Sequence, residues 1–340
     1  MPLKQQFRRL WRFLQRENIH RSLAVLLAII VVSSIGVALF EPNISLVNSL
    51  WWTIVTLTTV GYGDVYPITL GGRMIAMFVM FVGIGVLGML SATLASLLVS
   101  KKIKEDQGMS SCTMKKHLII CEWNHRAHGI LKELRADPKY TDAPIALIAE
   151  IERKPIDDDN LLFIQGSVND ETLQRANLAE ADTIIVLGDD RTDEANRDAK
   201  VVLATLTIES INPDAYTIVE LVDEAHVQHC KRARANEIIV SSDLSSGMIA
   251  RATLDHGVTT LVSELLSSRA GAEIYKLPLP AALEGCAFIE ALTAMKRQHD
   301  CLVVALQKGN SGDVISNPPS EHRLERDDVL FVIATERPTF

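Results

Sequence analysis

The chain lacks the residue groupings that chemistry on a substrate requires. No Gly-x-Ser-x-Gly elbow, His-Glu-x-x-His pair or Walker loop occurs in its 340 residues, so the activities built on those motifs are excluded and the chain reads as a non-enzyme. Cysteine is sparse: Cys112, Cys121, Cys230, Cys286 and Cys301 are scattered, odd in number and form no Cys-x-x-Cys, which predicts free thiols in a reducing cytosol. A basic surplus is missing as well. The formal net charge is −8, which argues against a nucleic-acid partner. No ladder of arginines leads into the apolar part of the chain, so voltage sensing by that device is absent.

What the chain has instead is two long apolar runs. Residues 22–40 and 74–100 are each uncharged and of the length, about 20 residues, that a bilayer-spanning helix needs. The first run is too long for a cleaved signal peptide and is followed by no small-residue cleavage site. Between them, residues 47–57 are helical in character but only about half a bilayer long, as in a re-entrant helix. Lys4, Arg8, Arg9, Arg12, Arg16 and Arg21 precede the first run, Lys101, Lys102 and Lys104 follow the second, and only Arg73 lies between. That bias places both termini on the cytoplasmic side of a multi-pass protein of the cell membrane. Phe7, Leu10, Trp11 and Leu14 share one helical face among the leading arginines, predicting an interfacial helix over residues 1–21.

Thr58-Thr59-Val60-Gly61-Tyr62-Gly63-Asp64 follows the half-length helix. A dehydrated cation needs oxygens in place of its water, and consecutive carbonyls supply them when alternate residues turn the same way, which Gly61 and Gly63 permit. Thr59 adds a hydroxyl, and Tyr62 is placed as an outward packing strut. A helix ending at Thr58 aims the negative end of its dipole at the bilayer centre, where a cation in transit is worst solvated. The segment resembles the selectivity filter of potassium channels in its Thr-Val-Gly-Tyr-Gly-Asp form, which implies that Thr59, Val60, Gly61 and Tyr62 hold K+ and that Asp64 closes the motif. In some relatives an acid braces the filter four residues before its first threonine. Val55 stands there in this chain, so the indole of Trp51 is the expected donor to Asp64, with Trp52 beside it; an interfacial aromatic belt is the alternative role for both. Gly83, Gly85 and Gly88 lie in the second apolar run, where close helix packing is the simple reading. The resemblance favours Gly83 as a gating hinge.

Composition changes after Lys104. Residues 1–106 carry ten basic and five acidic side chains, so the rest of the chain is strongly acidic. Residues 105–115 form a short polar linker. Downstream, short apolar runs alternate with amphipathic helices at 127–136, 170–178 and 192–208, which predicts a parallel sheet of Rossmann type. The glycine fingerprint expected after its first strand is replaced by Glu122-Trp123-Asn124-His125-Arg126-Ala127, and an acid side chain there opposes a pyrophosphate. No conventional NAD site is expected, although Arg126 with Glu150 or Glu152 can hold part of a nucleotide.

Residues 117–121, Phe163-Ile164-Gln165-Gly166-Ser167, the stretch 178–186 and Glu237-Ile238-Ile239-Val240-Ser241 resemble the domain that regulates potassium conductance, RCK or KTN. The implied fold is an α-helical membrane pore of two transmembrane helices plus a re-entrant pore helix, followed by an α/β Rossmann-like N-lobe and a small α+β C-lobe. Its implied boundaries are 22–104 for the pore, 116–265 for the N-lobe with its crossover helix and 266–340 for the C-lobe. The implied function is a potassium-selective, tetrameric channel gated by an intracellular ligand acting on a cytoplasmic ring. A ring of eight such domains requires additional copies, with Met109 or Met114 as internal starts. In calcium-gated relatives carboxylates bind the ion at places that correspond to Ile151, Glu220 and Val222. Only Glu220 keeps an acid, leaving it as a candidate divalent-cation ligand. Glu122, Asn124, Arg126, Glu150, Glu152, Asp189, Asp190 and Glu220 form the candidate ligand cleft, with Ca2+, another cation or a nucleotide as its occupant. His226 and His229 near Cys230 suggest a metal by spacing alone, against the simpler reading of surface histidines. Two rival classes remain: a potassium transporter or its regulatory subunit, which would repeat the pore unit within one chain, and a membrane-anchored nucleotide-dependent oxidoreductase, which would need the intact fingerprint.

Overall fold

The computed structural model describes residues 19–269, 271–309 and 312–340, and its contacts divide the chain into two units, Met1–Lys104 and Glu105–Phe340. The interfacial helix expected over residues 1–21 lies, for residues 1–18, outside the described residues.

Among the described residues the first unit is built of three helices. α1 (Ile19–Phe40) and α3 (Leu70–Asp106) are both apolar and long enough to cross a bilayer; α1 starts earlier than the run read from sequence and ends with it at Phe40, whereas α3 extends beyond its run at both ends. Helix geometry continues wherever backbone hydrogen bonds can, so in α3 it runs on through Lys101, Lys102 and Lys104. α2 (Leu46–Leu57) is the half-length helix. Ser45 caps its start by accepting from the Asn48 amide, and Thr58 closes its end. Ile29, Leu57 and Val79 form one buried cluster between the helices and Val37, Trp52 and Ala76 another. Small residues allow the approach: a side chain at Gly83 would overlap Leu57, and one at Gly71 would overlap Phe40.

The second unit begins with a six-stranded parallel sheet in the order β3-β2-β1-β4-β5-β6. Its strands are β1 (Leu118–Cys121), β2 (Ile145–Ala149), β3 (Leu161–Gln165), β4 (Thr183–Val186), β5 (Tyr216–Leu221) and β6 (Glu237–Val240). Every residue of β1 and β2 is buried, as expected of strands covered on both faces. α4 (His125–Ala136), α5 (Asp170–Arg175), α6 (Glu194–Ile211) and α7 (Val227–Arg232) connect them. Three of these differ from the sequence reading, α4 by starting at His125 rather than 127. α5 stops at Arg175 rather than 178 because Asn177 turns left-handed at φ +55°. α6 starts after its cap Asp193 and runs on to Ile211.

α8 (Ser241–Leu254) and α9 (Val258–Leu265) lead to a second, antiparallel sheet in the order β7-β10-β8-β9, formed by β7 (Glu273–Pro278), β8 (Leu302–Lys308), β9 (Val314–Ser316) and β10 (Asp328–Ala334). α10 (Phe288–His299) packs Phe288, Ala291 and Met295 onto it. Residues 105–115, read from sequence as a short polar linker, are laid against the parallel sheet. Asp106 accepts from the Lys154 amide at 2.7 Å, and the Cys112 amide donates to the Arg175 carbonyl at 2.7 Å.

Candidate functional site

The first candidate site is the strand that follows α2. Thr59, Gly61 and Gly63 have φ of +64°, +56° and +74°, so residues of positive φ alternate with Val60 and Tyr62, whose φ is negative. Such alternation turns successive carbonyls toward one side, the arrangement a cation cage needs. The strand is tied to its helix, because the Val60 and Gly61 amides both donate to the Val55 carbonyl, at 3.0 and 3.3 Å. Val55 thus braces the filter through its backbone, where its side chain has no polar atom to offer.

Trp51 does two things at once. Its indole N–H donates to Asp64 Oδ2 at 2.9 Å, and its ring stacks on Tyr62 with centroids 6.0 Å apart. Trp52 is buried against Val37 and Ala76 and makes no comparable polar contact among the described hydrogen bonds. Replacing Trp51 by Phe keeps the stack and deletes the donor, which at this exposed site is worth about 1 kcal/mol. Single-channel recordings of Trp51→Phe are therefore expected to show conducting periods shortened about fivefold, while potassium selectivity is retained.

A second brace is Glu41, which the sequence reading missed. Its carboxylate is buried and accepts from the Ile68 amide (2.6 Å), the Thr69 amide (2.7 Å) and the Thr69 hydroxyl (2.9 Å), fixing the chain between the filter and α3. A carboxylate just beyond an apolar run, with a Thr-x-x-Gly helix start further on, was the available signal. Gly83, the expected hinge, ends a five-residue π turn over Val79–Gly83 and is buried against Leu57. Packing accounts for glycine there, and the π turn is the local irregularity in α3.

The second candidate site lies beyond the carboxyl ends of β1 and β4, where the strand order reverses and ligands of such sheets bind. A cavity of about 260 Å³ there is lined by Glu122, Glu150, Asp189 and Lys200, with Val186, Leu187 and Val201 as its apolar wall. Glu122 stands where the fingerprint has its first glycine and takes the conformation a glycine would, φ +76°. Burial, with Asp189 nearby, pushes its carboxyl up to about 7. Asp189 is held below the ordinary carboxylate range by hydrogen bonds from the Arg191 guanidinium, whose Nε lies 2.8 Å away. Arg191 also reaches the Glu150 carbonyl at 2.9 Å and the Glu150 carboxylate at 3.6 Å, so it spans the cavity mouth.

The other expected cleft residues separate from this group. Arg126 bonds Glu220 through Nε at 2.7 Å and Asp190 through Nη2 at 2.6 Å. Arg197 reaches Asp190 at 3.1 Å and Glu220 at 3.8 Å. Glu220 is buried, and both its oxygens face guanidinium groups, so the expected divalent-cation ligand is half of an ion pair; a metal would have to displace an arginine. Ile151 and Val222 contribute no side-chain oxygen. Asn124 caps α4 by accepting from the Ala127 amide and ties it to the Gly188 carbonyl, and Glu152 is exposed outside the cavity. Arg191, Arg197 and Lys200 went unnoticed in the sequence, where Asp189 and Asp190 were read as ligand-cleft acids and not as partners of nearby basic side chains. Among the described residues no group of three or more His, Cys, Asp or Glu side chains is placed to hold a metal. His226 instead contacts the buried Asp198 at 2.9 Å, which also accepts from the Val222 and Asp223 amides.

Glu122 carries a pH prediction. Its folded-state value lies above the ordinary 4.5, so the folded domain keeps a proton that the unfolded chain gives up, and stability falls as pH rises from about 4.5 to about 7. Melting temperatures of the channel and of Glu122→Gln, measured from pH 4 to 8, are expected to diverge across that window, with the wild type losing a few degrees more.

Comparison with known proteins follows the same division. Residues 24–100 match the ion-channel family Ion_trans_2, and residues 113–219 match the calcium-activated potassium channel slowpoke-like RCK domain. Across 344 residues the chain is 28% identical to a protein of Thermoplasma volcanium named calcium-gated potassium channel TvoK, with 97% of each chain covered. It is 29% identical over 316 residues to a Bacillus subtilis protein named putative potassium channel protein YugO, covering 91% of this chain and 94% of that one. Among solved structures, the GsuK channel aligns with 96% of this chain and 58% of its own (TM-score 0.51, 17% identity). The human SLO3 gating ring aligns with 65% and 44% (TM-score 0.52, 19% identity). The chain spans about half the length of those two structures, and the likeness to them is one of fold.

Two long apolar helices with a half-length helix between them, followed by a Rossmann-like sheet, together define an ion channel with a regulatory RCK domain. More narrowly, an ion-channel domain is followed in this chain by an RCK domain, and over nearly its whole length the chain is similar to proteins named as potassium channels.

Proposed function

We propose that four copies of this chain surround one axis and conduct K+ through rings of oxygens from Thr59, Val60, Gly61 and Tyr62. The observation that carries this reading is the alternation of left-handed backbone at Thr59, Gly61 and Gly63. One chain supplies one side of a cage, and a dehydrated ion needs oxygens on all sides, so a single pore unit per chain calls for a symmetric assembly. The basic flanks favour cytoplasmic termini in the cell membrane, and the remaining chain then forms a cytoplasmic ring. Trp51 and Asp64 hold the filter's outer end, and Gly83 with its π turn is the place where α3 bends.

The ring responds to an intracellular solute at the cavity beyond β1 and β4. Glu122, Glu150 and Asp189 give that cavity an acidic wall, with Arg191 and Lys200 as internal counter-ions. The relative named calcium-gated makes Ca2+ the first solute to try, with other cations and nucleotides after it. A solute opens or closes the pore only through different affinities for the two ring shapes. Eight RCK domains per ring, four of them soluble copies begun at Met109 or Met114, complete the proposal; replacing both methionines should then remove a small soluble band from gels of the expressed protein.

Reconstitution into liposomes with a potassium gradient tests the core of the reading. Barium-sensitive potassium flux at least ~100-fold above sodium flux is expected, a ratio equivalent to about 3 kcal/mol; equal fluxes of the two ions would overturn it. Ca2+, Mg2+, ADP and NAD, added singly to the purified channel, are then ranked by the melting temperature they raise.

A further inference from the structure

The segment between the end of α3 and the start of β1 is fastened along its length. The Gly108 amide closes the helix by donating to the Glu105 carbonyl at 3.1 Å. Gly108 itself is left-handed, φ +65°, and a side chain there would collide with the backbone nitrogen of Gln165. Its carbonyl accepts from that same Gln165 amide at 3.1 Å. Gln165 ends β3, the outermost strand of the sheet, so the contact covers part of an edge that would otherwise be open.

Arg175, the last residue of α5, closes the fastening. Its Nη2 bonds the Gly108 carbonyl and reaches the Ser110 carbonyl at 3.3 Å, Nη1 lies 3.4 Å from the Gln165 carbonyl, and its own carbonyl accepts from the Cys112 amide at 2.7 Å. A planar guanidinium holds several carbonyls at once with five donors in a fixed fork, a wider and more rigid reach than the single ammonium of a lysine. Lys154 holds Asp106 on one side, and on the other the Asn177 side chain donates to the Met114 carbonyl at 2.7 Å. Cys112 is buried beneath, 3.7 Å from His117.

We propose that residues 106–112 are a strap buckled to the regulatory domain by Arg175, and that Arg175 is a positioning residue for gating. Unfastened, residues 106–114 could extend roughly 27 Å at about 3.4 Å per residue, enough slack to absorb a domain movement. Buckled, that slack is gone, and displacement of the domain arrives at the end of α3 itself. The inference rests on the reading that the soluble ring gates the pore.

The test uses full-length channels in planar bilayers and needs no ligand. Gly-Ser-Gly-Ser inserted after Gln107, ahead of the buckle, is expected to change the basal open probability severalfold. The same insertion after exposed Thr113 lies behind the buckle and should leave it unchanged. In an Arg175→Ala background the insertion after Thr113 should act as the upstream one does, and Arg175→Lys should fall between. Hydrogen exchange supplies the second readout: the Gln165 and Cys112 amides are protected in the wild type, and Arg175→Ala or Gly108→Ala should speed their exchange on the order of tenfold. An effect of the Thr113 insertion in the wild type equal to that of the Gln107 insertion overturns the proposal, as does exchange at those amides indifferent to both substitutions. If neither insertion alters opening while Arg175→Ala still frees the amides, the strap stands as structure, and control of the pore by the soluble domain fails together with the gating role of Arg175.

Discussion

Replacing Gly61 by aspartate is expected to reduce barium-sensitive potassium flux on the order of 100-fold or more, equivalent to about 3 kcal/mol added to the barrier. The reason lies between chains rather than within one. A side-chain carbon built at Gly61 meets nothing within 4 Å in the single chain, and aspartate tolerates the left-handed backbone better than most residues do. Gly61→Asp should accordingly insert and fold normally. In the proposed tetramer, loss of flux then comes from carboxylates converging where carbonyls should point, so the variant reports on the filter and on its assembly together. Flux equal to wild type, from protein of equal yield, would remove the filter assignment.

Arg126→Ala should be strongly destabilising for the second unit. It leaves Glu220, whose side chain is 8% exposed, facing Arg197 alone at 3.8 Å, and it strips Asp190 of its 2.6 Å partner. Breaking a buried pair from one side costs about 3–5 kcal/mol, and the partial exposure of Arg126 brings the expectation down to about 2–4 kcal/mol. In a unit of this size that corresponds to a melting temperature lower by on the order of 10 °C. The double variant Arg126→Met with Glu220→Leu should recover most of the loss, because no charge is left buried without a partner. A fall in the double variant as large as that in Arg126→Ala would mean that packing, and not charge, holds this rim together.

The pore and the sheet were legible in the sequence because their signals are local. Thr59 to Asp64 are consecutive, the two spans declare themselves by length and hydropathy, and the strands are short apolar runs between helices. Trp51 as the donor to Asp64 could be named because both flank one short helix and its filter. Long-range pairing was not legible. Nothing near Arg175 in the chain announces Gly108, and nothing near Glu41 announces Thr69, so the strap read only as a short polar linker, its fastening unseen, and the second brace went unseen as well. Glu220 shows the same limit from the other direction: an acid at a ligand-binding strand end looks available until Arg126 and Arg197, far away in sequence, are found on it. The break after Arg175 depended on a left-handed Asn177, a choice that propensity alone does not dictate.

The strap also bears on how a ring could tell its members apart. A soluble copy begun at Met114 would share every later residue with the full-length chain, yet it would lack Gly108, Ser110 and Cys112. Its Arg175 would be unfastened and the outer edge of β3 bare beside Gln165. Two sets of subunits with one sequence would then present two different rims. The place of each in the assembly would be addressed by where its translation began, with no second gene needed to encode the difference.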